Sequence, residues 1–273
     1  MRRTPAIRRQ KLLAFLKQNA RHQIKDLVAR ADTSEATLHR DLDVLQHEGH
    51  VRKSYGCVEV LGAPPVFLEY QKRLGQQADR KRHLAAKAIE FIQPGDHLFL
   101  DASSTCYYLA EALVRSASSA GLHGATVVTN SVHLLSLCSR ADLPLKVIGT
   151  GGQFDPALNA FFGELAADSL PRMRFGKAFV SGAGFSLTAG LTTTSDHILG
   201  LLKAVLPLSS ETYCLIDSSK CGRDCLLRVG DLQAFDRAIT NNDIDPAACD
   251  AMREAGVNLV LADAVVQEQK AAL

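Results

Sequence analysis

Seven short apolar runs recur between residues 97 and 261, and helix-like segments separate them. They are His97-Leu98-Phe99-Leu100, Thr126-Val127-Val128, Leu145-Lys146-Val147-Ile148, Lys177-Ala178-Phe179-Val180, Tyr213-Cys214-Leu215-Ile216, Ala238-Ile239 and Asn258-Leu259-Val260-Leu261. Among the segments between and before them, Leu84, Ala88 and Phe91, then Cys106 to Val114, then Leu134 and Leu137 fall on helical faces. Nearly continuous apolar strands alternating with amphipathic helices predict an α/β fold whose mostly parallel sheet is covered on both faces.

In such sheets ligands sit beyond the carboxyl ends of the strands. Five of those ends are polar or glycine-rich: Asp101-Ala102-Ser103-Ser104-Thr105, Thr129-Asn130-Ser131, Gly149-Thr150-Gly151-Gly152, Ser181-Gly182-Ala183-Gly184 and Asp217-Ser218-Ser219-Lys220. Hydroxyls at a helix start present donors to an anion. Glycines let a backbone approach a ligand, and Lys220 offers a counter-charge. The expected effector-binding residues are therefore Asp101, Ser103, Ser104, Thr105, Thr129, Asn130, Gly151, Gly152, Gly182, Gly184 and Lys220, around a small phosphorylated polyol. Taken singly, each turn also reads as capping or a plain turn. Their recurrence at five strand ends is the signal.

The first sixty residues have a different pattern. Ile7, Leu12, Phe15 and Leu16 stripe one helix, and Thr4-Pro5 opens it. Ile24, Leu27 and Val28 form a second, ending near Ala31, and Asp32-Thr33 turns the chain. Leu38, Leu42 and Leu45 share one face of a third helix, which Gly49 ends, while Ala36, Arg40, Asp43 and His47 share the other. The segment Val51 to Tyr55 is basic and reads as a hairpin wing. This order predicts a winged helix-turn-helix, the helix-turn-helix spanning about 23–42, with one helix in a DNA groove. Residues 1–60 carry net charge +5 and the remainder −3, the footprint of a phosphate-binding end on a mildly acidic body. The expected DNA-binding residues are Ser34, Ala36, Thr37, His39, Arg40, Arg52 and Lys53, with Arg2, Arg3, Arg8 and Arg9 as further phosphate contacts.

Ser34-Glu35-Ala36-Thr37-Leu38-His39-Arg40-Asp41-Leu42, followed by Leu45 and Glu48-Gly49, resembles the DNA-binding domain of DeoR-type transcriptional regulators. The family pattern Ser-x-x-Thr-Ile-Arg-Arg-Asp-Leu is altered here to Leu38 and His39, and Tyr55-Gly56-Cys57-Val58 stands for His-Gly-Gly-Ala. His39 exchanges a permanent charge for a shorter, titratable ring. Leu100-Asp101, Ser104-Thr105, Val128-Thr129-Asn130-Ser131, Gly151-Gly152, Phe162-Gly163, Gly190-Leu191-Thr192 and Asp217-Ser218-Ser219-Lys220 extend the resemblance into the sensor half. It implies a sensor fold similar to ribose-5-phosphate isomerase, sugar phosphates as effectors and double-stranded operator DNA as partner. The stretch Asp101 to Cys106 with Tyr108-Leu109-Ala110 resembles the L-fucose operon activator, which implies L-fuculose phosphate or a related deoxysugar phosphate.

The division expected is 1–60 for DNA binding, 61–80 as a linker around Leu61-Gly62-Ala63-Pro64-Pro65, and 81–265 for the sensor. Val66 to Arg80 reads equally as helix or loop. A length of 273 residues, 47% hydrophobic, suffices for two cores. No apolar run approaches the ~20 residues of a membrane span, and no secretory h-region is seen. Seven cysteines without a Cys-x-x-Cys pair indicate reduced thiols in a cytoplasm, and neither a metal nor a cofactor is expected. A homo-oligomer is expected from the symmetry of such assemblies.

Two other classes compete. A sugar-phosphate isomerase-like enzyme needs a carboxylate base, and the related isomerases place acids where this chain has Ser181-Gly182-Ala183-Gly184-Phe185. A protein-interaction module would bind its partner with little salt dependence, whereas neutralising several phosphates gives a log–log slope of about −0.9 per contact.

Overall fold

A computed structural model describes residues 5–16, 21–30, 33–47, 50–61, 65–118, 123–139 and 145–263. Arg2, Arg3, Thr4, Asp32, Glu48, Gly49 and linker residues 62–64 lie outside them. The chain divides into two compact units, Met1–Leu68 and Glu69–Leu273.

The first unit holds α1 (Pro5–Leu16), β1 (Arg21–Gln23), α2 (Ile24–Arg30), α3 (Glu35–His47), β2 (Val51–Ser54) and β3 (Cys57–Val60). Leu38, Leu42 and Leu45 are buried, so the helical stripe meets Leu16, Leu27, Val51 and Val58 in one core. The sheet is antiparallel in the order β1-β3-β2. Strand β1 is absent from the sequence reading. Arg21-His22-Gln23 has no apolar alternation and owes its extended form to pairing with Cys57–Glu59. The Ile24 amide donates to the Gly56 carbonyl at 2.9 Å, which fastens the wing turn to the start of α2.

The second-unit elements are introduced by α4 (Pro65–Gly75), which starts just before the division, and α5 (Ala78–Ala88). Residues 65–75 and 78–80 of the expected linker are therefore helical, and α5 is continuous with the sensor core through Leu84, Ala85 and Ala88. There follow β4 (His97–Leu100), α6 (Ser104–Ser118), β5 (Thr126–Thr129), α7 (Val132–Ser139), β6 (Lys146–Gly149), β7 (Gln153–Asp155), β8 (Ala160–Phe162) and α8 (Glu164–Ser169). Then come β9 (Phe175–Val180), β10 (Gly184–Ser186), β11 (Gly190–Thr193), α9 (Asp196–Val205), β12 (Ser209–Leu215), β13 (Leu227–Gly230), β14 (Arg237–Asn241), α10 (Pro246–Glu254) and β15 (Leu259–Ala262).

All seven apolar runs enter one sheet, in the order β15-β14-β12-β9-β4-β5-β6. Every pairing in it is parallel. Side chains alternate between faces. Leu98 and Leu100 pack with Leu109, Leu113 and Leu84 on one side. Phe99 packs with Phe175, Leu201 and Val205 on the other. The strand order reverses between β4 and β9, the switch point at which such sheets hold ligands. Two additions have no counterpart in the sequence reading. One is the β7–β8 hairpin; the other is a small antiparallel sheet, β10-β11-β13. Their strands are three or four residues long, and all but β8, Ala160-Phe161-Phe162, lack the apolar runs that marked the rest.

Candidate functional site

In the first unit, Ser34 starts α3 by accepting from the Thr37 amide at 3.4 Å, and its hydroxyl meets that of Thr37 at 2.9 Å. Ser34, Ala36 and Arg40 are exposed, and Thr37 and His39 half-buried, along one side of the helix. This is the residue set predicted to enter a groove. His39 Nε2 lies 3.9 Å from Glu35. Arg52 is paired with Glu59 at 2.7 Å and Lys53 with Asp43 at 2.5 Å, both on the surface. Phosphates would have to displace those weak exposed pairs. One expectation is corrected: Arg8 grips the buried carboxylate of Asp41 at 2.5 and 3.1 Å, with Arg9 at 3.9 Å. Its role is to lock α1 onto α3, and the hydrogen bond to Asp41 raises its pKa further. Arg40→Ala is expected to weaken operator binding by about 1–3 kcal/mol if the guanidinium is bidentate on a base. Fluorescence anisotropy at several salt concentrations checks this, and unchanged affinity would remove Arg40 from the interface.

In the second unit, the polar loops converge where β12, β9, β4 and β5 stand side by side. Asp101 is buried, and its two oxygens accept from the Ser103 amide at 2.9 Å and the Ser181 amide at 2.8 Å. It thereby ties the loop after β4 to the loop after β9. Burial raises its pKa, and the hydrogen bonds it accepts oppose that rise. Ser103 Oγ caps α6 by accepting from the Cys106 amide at 3.1 Å, and Ser104 and Thr105 form the buried first turn. Thr129 Oγ1 accepts from the Ser131 amide at 3.1 Å, so this hydroxyl shapes its own turn. Asn130 donates to the Phe161 carbonyl at 3.2 Å. Lys220 donates to the Gly182 carbonyl at 2.9 Å and lies 3.4 Å from Asp217.

The segments after these four adjacent strands each bury a polar atom without a hydrogen-bond partner: Asp217 Oδ2, Ser181 Oγ, Thr105 Oγ1 in the first turn of α6, and Asn130 Oδ1. The 3.4 Å approach of Lys220 to Asp217 is an ion pair without hydrogen-bond geometry. Buried polar atoms are nearly always satisfied, so a row of exceptions marks a place for a polar occupant.

The glycines behave differently from expectation. A Cβ on Gly152 would lie 2.4 Å from the Phe162 carbonyl, on Gly182 2.5 Å from Leu191, and on Gly184 2.1 Å from the Arg223 carbonyl. Close packing of protein on protein explains glycine at all three, without a ligand. Only Gly151, with φ +68 and open space around it, keeps the predicted character.

Sequence reasoning missed Tyr70 and Arg73 on α4 and Lys81 on α5. Lys81 is buried, and its ammonium donates to the carbonyls of Arg73 and Gln76 at 2.5 Å. No carboxylate lies within ion-pair distance of it among the described residues. Burial, then the charge of Lys220, bring Lys81 down to about 8, while Asp217 opposes that shift. A separate cavity of about 210 Å³ beside the β7–β8 hairpin is lined by Phe154, Asp155, Phe162 and His197 among others. It has no Lys or Arg in its wall, so it lacks the counter-charge a phosphate needs.

Residues 8–62 match the DeoR-like helix-turn-helix domain, and residues 76–242 match the DeoR C terminal sensor domain. The chain belongs to the DeoR family of transcriptional regulators. It is 28% identical over 254 residues to the uncharacterized HTH-type transcriptional regulator YulB of Bacillus subtilis, covering 93% of this chain and 95% of that protein. It is 27% identical over 237 residues to the L-fucose operon activator of Haemophilus influenzae, covering 85% and 92%. Among solved structures, ribose 5-phosphate isomerase from Plasmodium falciparum is similar over 55% of each chain, with 16% identity and a TM-score of 0.40. Among the described residues of this DeoR-type chain, no helix is long and apolar enough to cross a membrane.

Proposed function

We propose that this regulator controls a carbohydrate-utilisation operon and that a phosphorylated sugar binds at the carboxyl ends of β12, β9, β4 and β5. The row of unsatisfied buried atoms at those four strand ends carries the reading. The phosphate group sits among Lys220, Lys81 and the first turn of α6, where cations and a helix N-terminus coincide. The likeness of Asp101–Cys106 and Tyr108-Leu109-Ala110 to the L-fucose operon activator favours a deoxysugar phosphate such as L-fuculose phosphate. Effector binding shifts the population between two forms of the sensor and so changes DNA affinity. The working form is a cytoplasmic homo-oligomer that places its helices on repeated half-sites.

Catalysis is not its role. The loop Ser181 to Phe185 carries no carboxylate, both oxygens of Asp101 are engaged by backbone amides, and the remaining carboxylate, Asp217, is ion-paired with Lys220. The test pairs two measurements on the full chain. Anisotropy with fragments upstream of its own operon is expected to show steeply salt-dependent binding. A thermal-shift panel of sugar phosphates is expected to show stabilisation by some and none by their unphosphorylated sugars. Absence of any phosphate-dependent stabilisation would overturn the effector reading, and turnover of a sugar phosphate would overturn the regulatory one.

The binding is expected to depend on pH. Lys81 titrates near 8, and Lys220, Asp217 and Arg73 are the charged groups acting on it. An anion favours the protonated form, so from about pH 7, where the phosphate is already dianionic, affinity is constant to about pH 8 and falls above it, by up to about tenfold per unit. Calorimetry at pH 7 and pH 9 reads this directly.

A further inference from the structure

A closed ring of contacts links three elements beside the cationic end of the site. On α4, Arg73 donates to the Ala157 carbonyl at 3.1 Å, in the turn between β7 and β8. The same turn carries Asn159, whose carbonyl accepts from the Val132 amide at 3.1 Å at the start of α7. The next residue of α7, His133, meets the Tyr70 ring edge-on at 4.8 Å, which returns the ring to α4. Tyr107 of α6 stands 6.0 Å from His133.

Three side chains of this ring carry unsatisfied polar atoms. Tyr70 Oη, His133 Nδ1 and both side-chain atoms of Asn159 are buried without a hydrogen-bond partner. Asn159 is held at φ +53, a left-handed conformation that Asn tolerates better than most residues. Burial lowers the pKa of His133 and raises that of Tyr70, so both are neutral near pH 7. Asp101 and Cys106 also act electrostatically on the Tyr70 phenol, which puts this ring beside the loop after β4.

A phenol, a neutral imidazole and a carboxamide all combine donor or acceptor capacity without net charge. A sugar hydroxyl both donates and accepts, so such a set suits it; Arg73, the cation in this ring, is engaged by the Ala157 carbonyl and the Tyr70 face, whereas a phosphate needs the ammonium groups of Lys81 and Lys220. We propose that Tyr70, His133 and Asn159 form the hydroxyl-reading end of the effector site and set which sugar phosphate is accepted. This rests on the effector reading above and adds the orientation: phosphate toward Lys81 and Lys220, carbon chain toward Tyr70, His133 and Asn159. The sugar then contacts α4 itself through Tyr70.

The experiment uses the full-length protein with L-fuculose 1-phosphate, ribose 5-phosphate, glucose 6-phosphate and inorganic phosphate as probes. Tyr70→Phe keeps the ring and removes the hydroxyl; Asn159→Gly keeps the left-handed backbone and removes the amide. Each is expected to weaken the best sugar phosphate about tenfold or more, because a site built for a hydroxyl suffers when its partner is missing. Stabilisation by inorganic phosphate is expected to stay within twofold of wild type. If both variants retain wild-type affinity for every sugar phosphate that binds, the orientation is wrong while the effector reading stands. If both lose inorganic phosphate equally, their role is general to the fold, and the inference also fails. If no sugar phosphate stabilises the wild type, the inference fails together with the reading beneath it.

Discussion

Lys220→Met is expected to move the response to sugar phosphates to concentrations about 10- to 150-fold above those the wild type needs. Lys220 is held by the Gly182 carbonyl at 2.9 Å and by Asp217 at 3.4 Å, beside the unsatisfied atoms after β9 and β12. A hydrogen bond from an ammonium to an anion contributes about 1.5–3 kcal/mol, or roughly 10- to 150-fold in affinity. The DNA-binding residues belong to the other compact unit, so operator affinity without effector is expected to stay within twofold. Titration of operator complexes with and without the sugar phosphate separates the two effects. A variant that still responds at wild-type concentrations would move the phosphate away from Lys220.

Gly190→Ala is expected to cost about 3 kcal/mol or more, because two penalties coincide. The residue has φ +67, and an added Cβ would lie 2.1 Å from the Gly230 carbonyl on the neighbouring strand β13. For a unit of this size that lowers the melting temperature by about 6–12 °C. Gly256→Ala is the comparison, since its φ is +82 but nothing lies within 4 Å. It is expected to incur only the backbone cost of about 1–2 kcal/mol. Calorimetric melting of both variants distinguishes packing from strain, and equal losses would show that the close approach is relieved by movement of β13.

The sequence carried the strand ladder because each β-run in the main sheet is apolar on both faces, a pattern that buried parallel strands require. It carried α3 because Leu38, Leu42 and Leu45 obey helical spacing and Ser34 is a capping residue. It did not carry Tyr70, Arg73 or Lys81. These lie in polar helices just after a proline-rich stretch, where nothing local distinguishes a linker from a wall of the site. Arg8 also looked like a free cation, because its partner Asp41 is 33 residues away. The glycines misled for a related reason. A glycine needed by a ligand and one needed by a neighbouring carbonyl leave the same letter in the chain, and only the distance from Gly184 to Arg223 tells them apart.

One flank of the large sheet, β4 to β6, is complete in the chain before β9, the first strand of the other flank, begins. The seam between the flanks runs between β4 and β9, and Asp101 stitches its end by gripping the Ser181 amide. A metabolite lodged across that stitch would fasten together halves synthesised at different moments. Binding there would then register as added cohesion along the seam, so the compound that instructs the sensor would also hold its two flanks together.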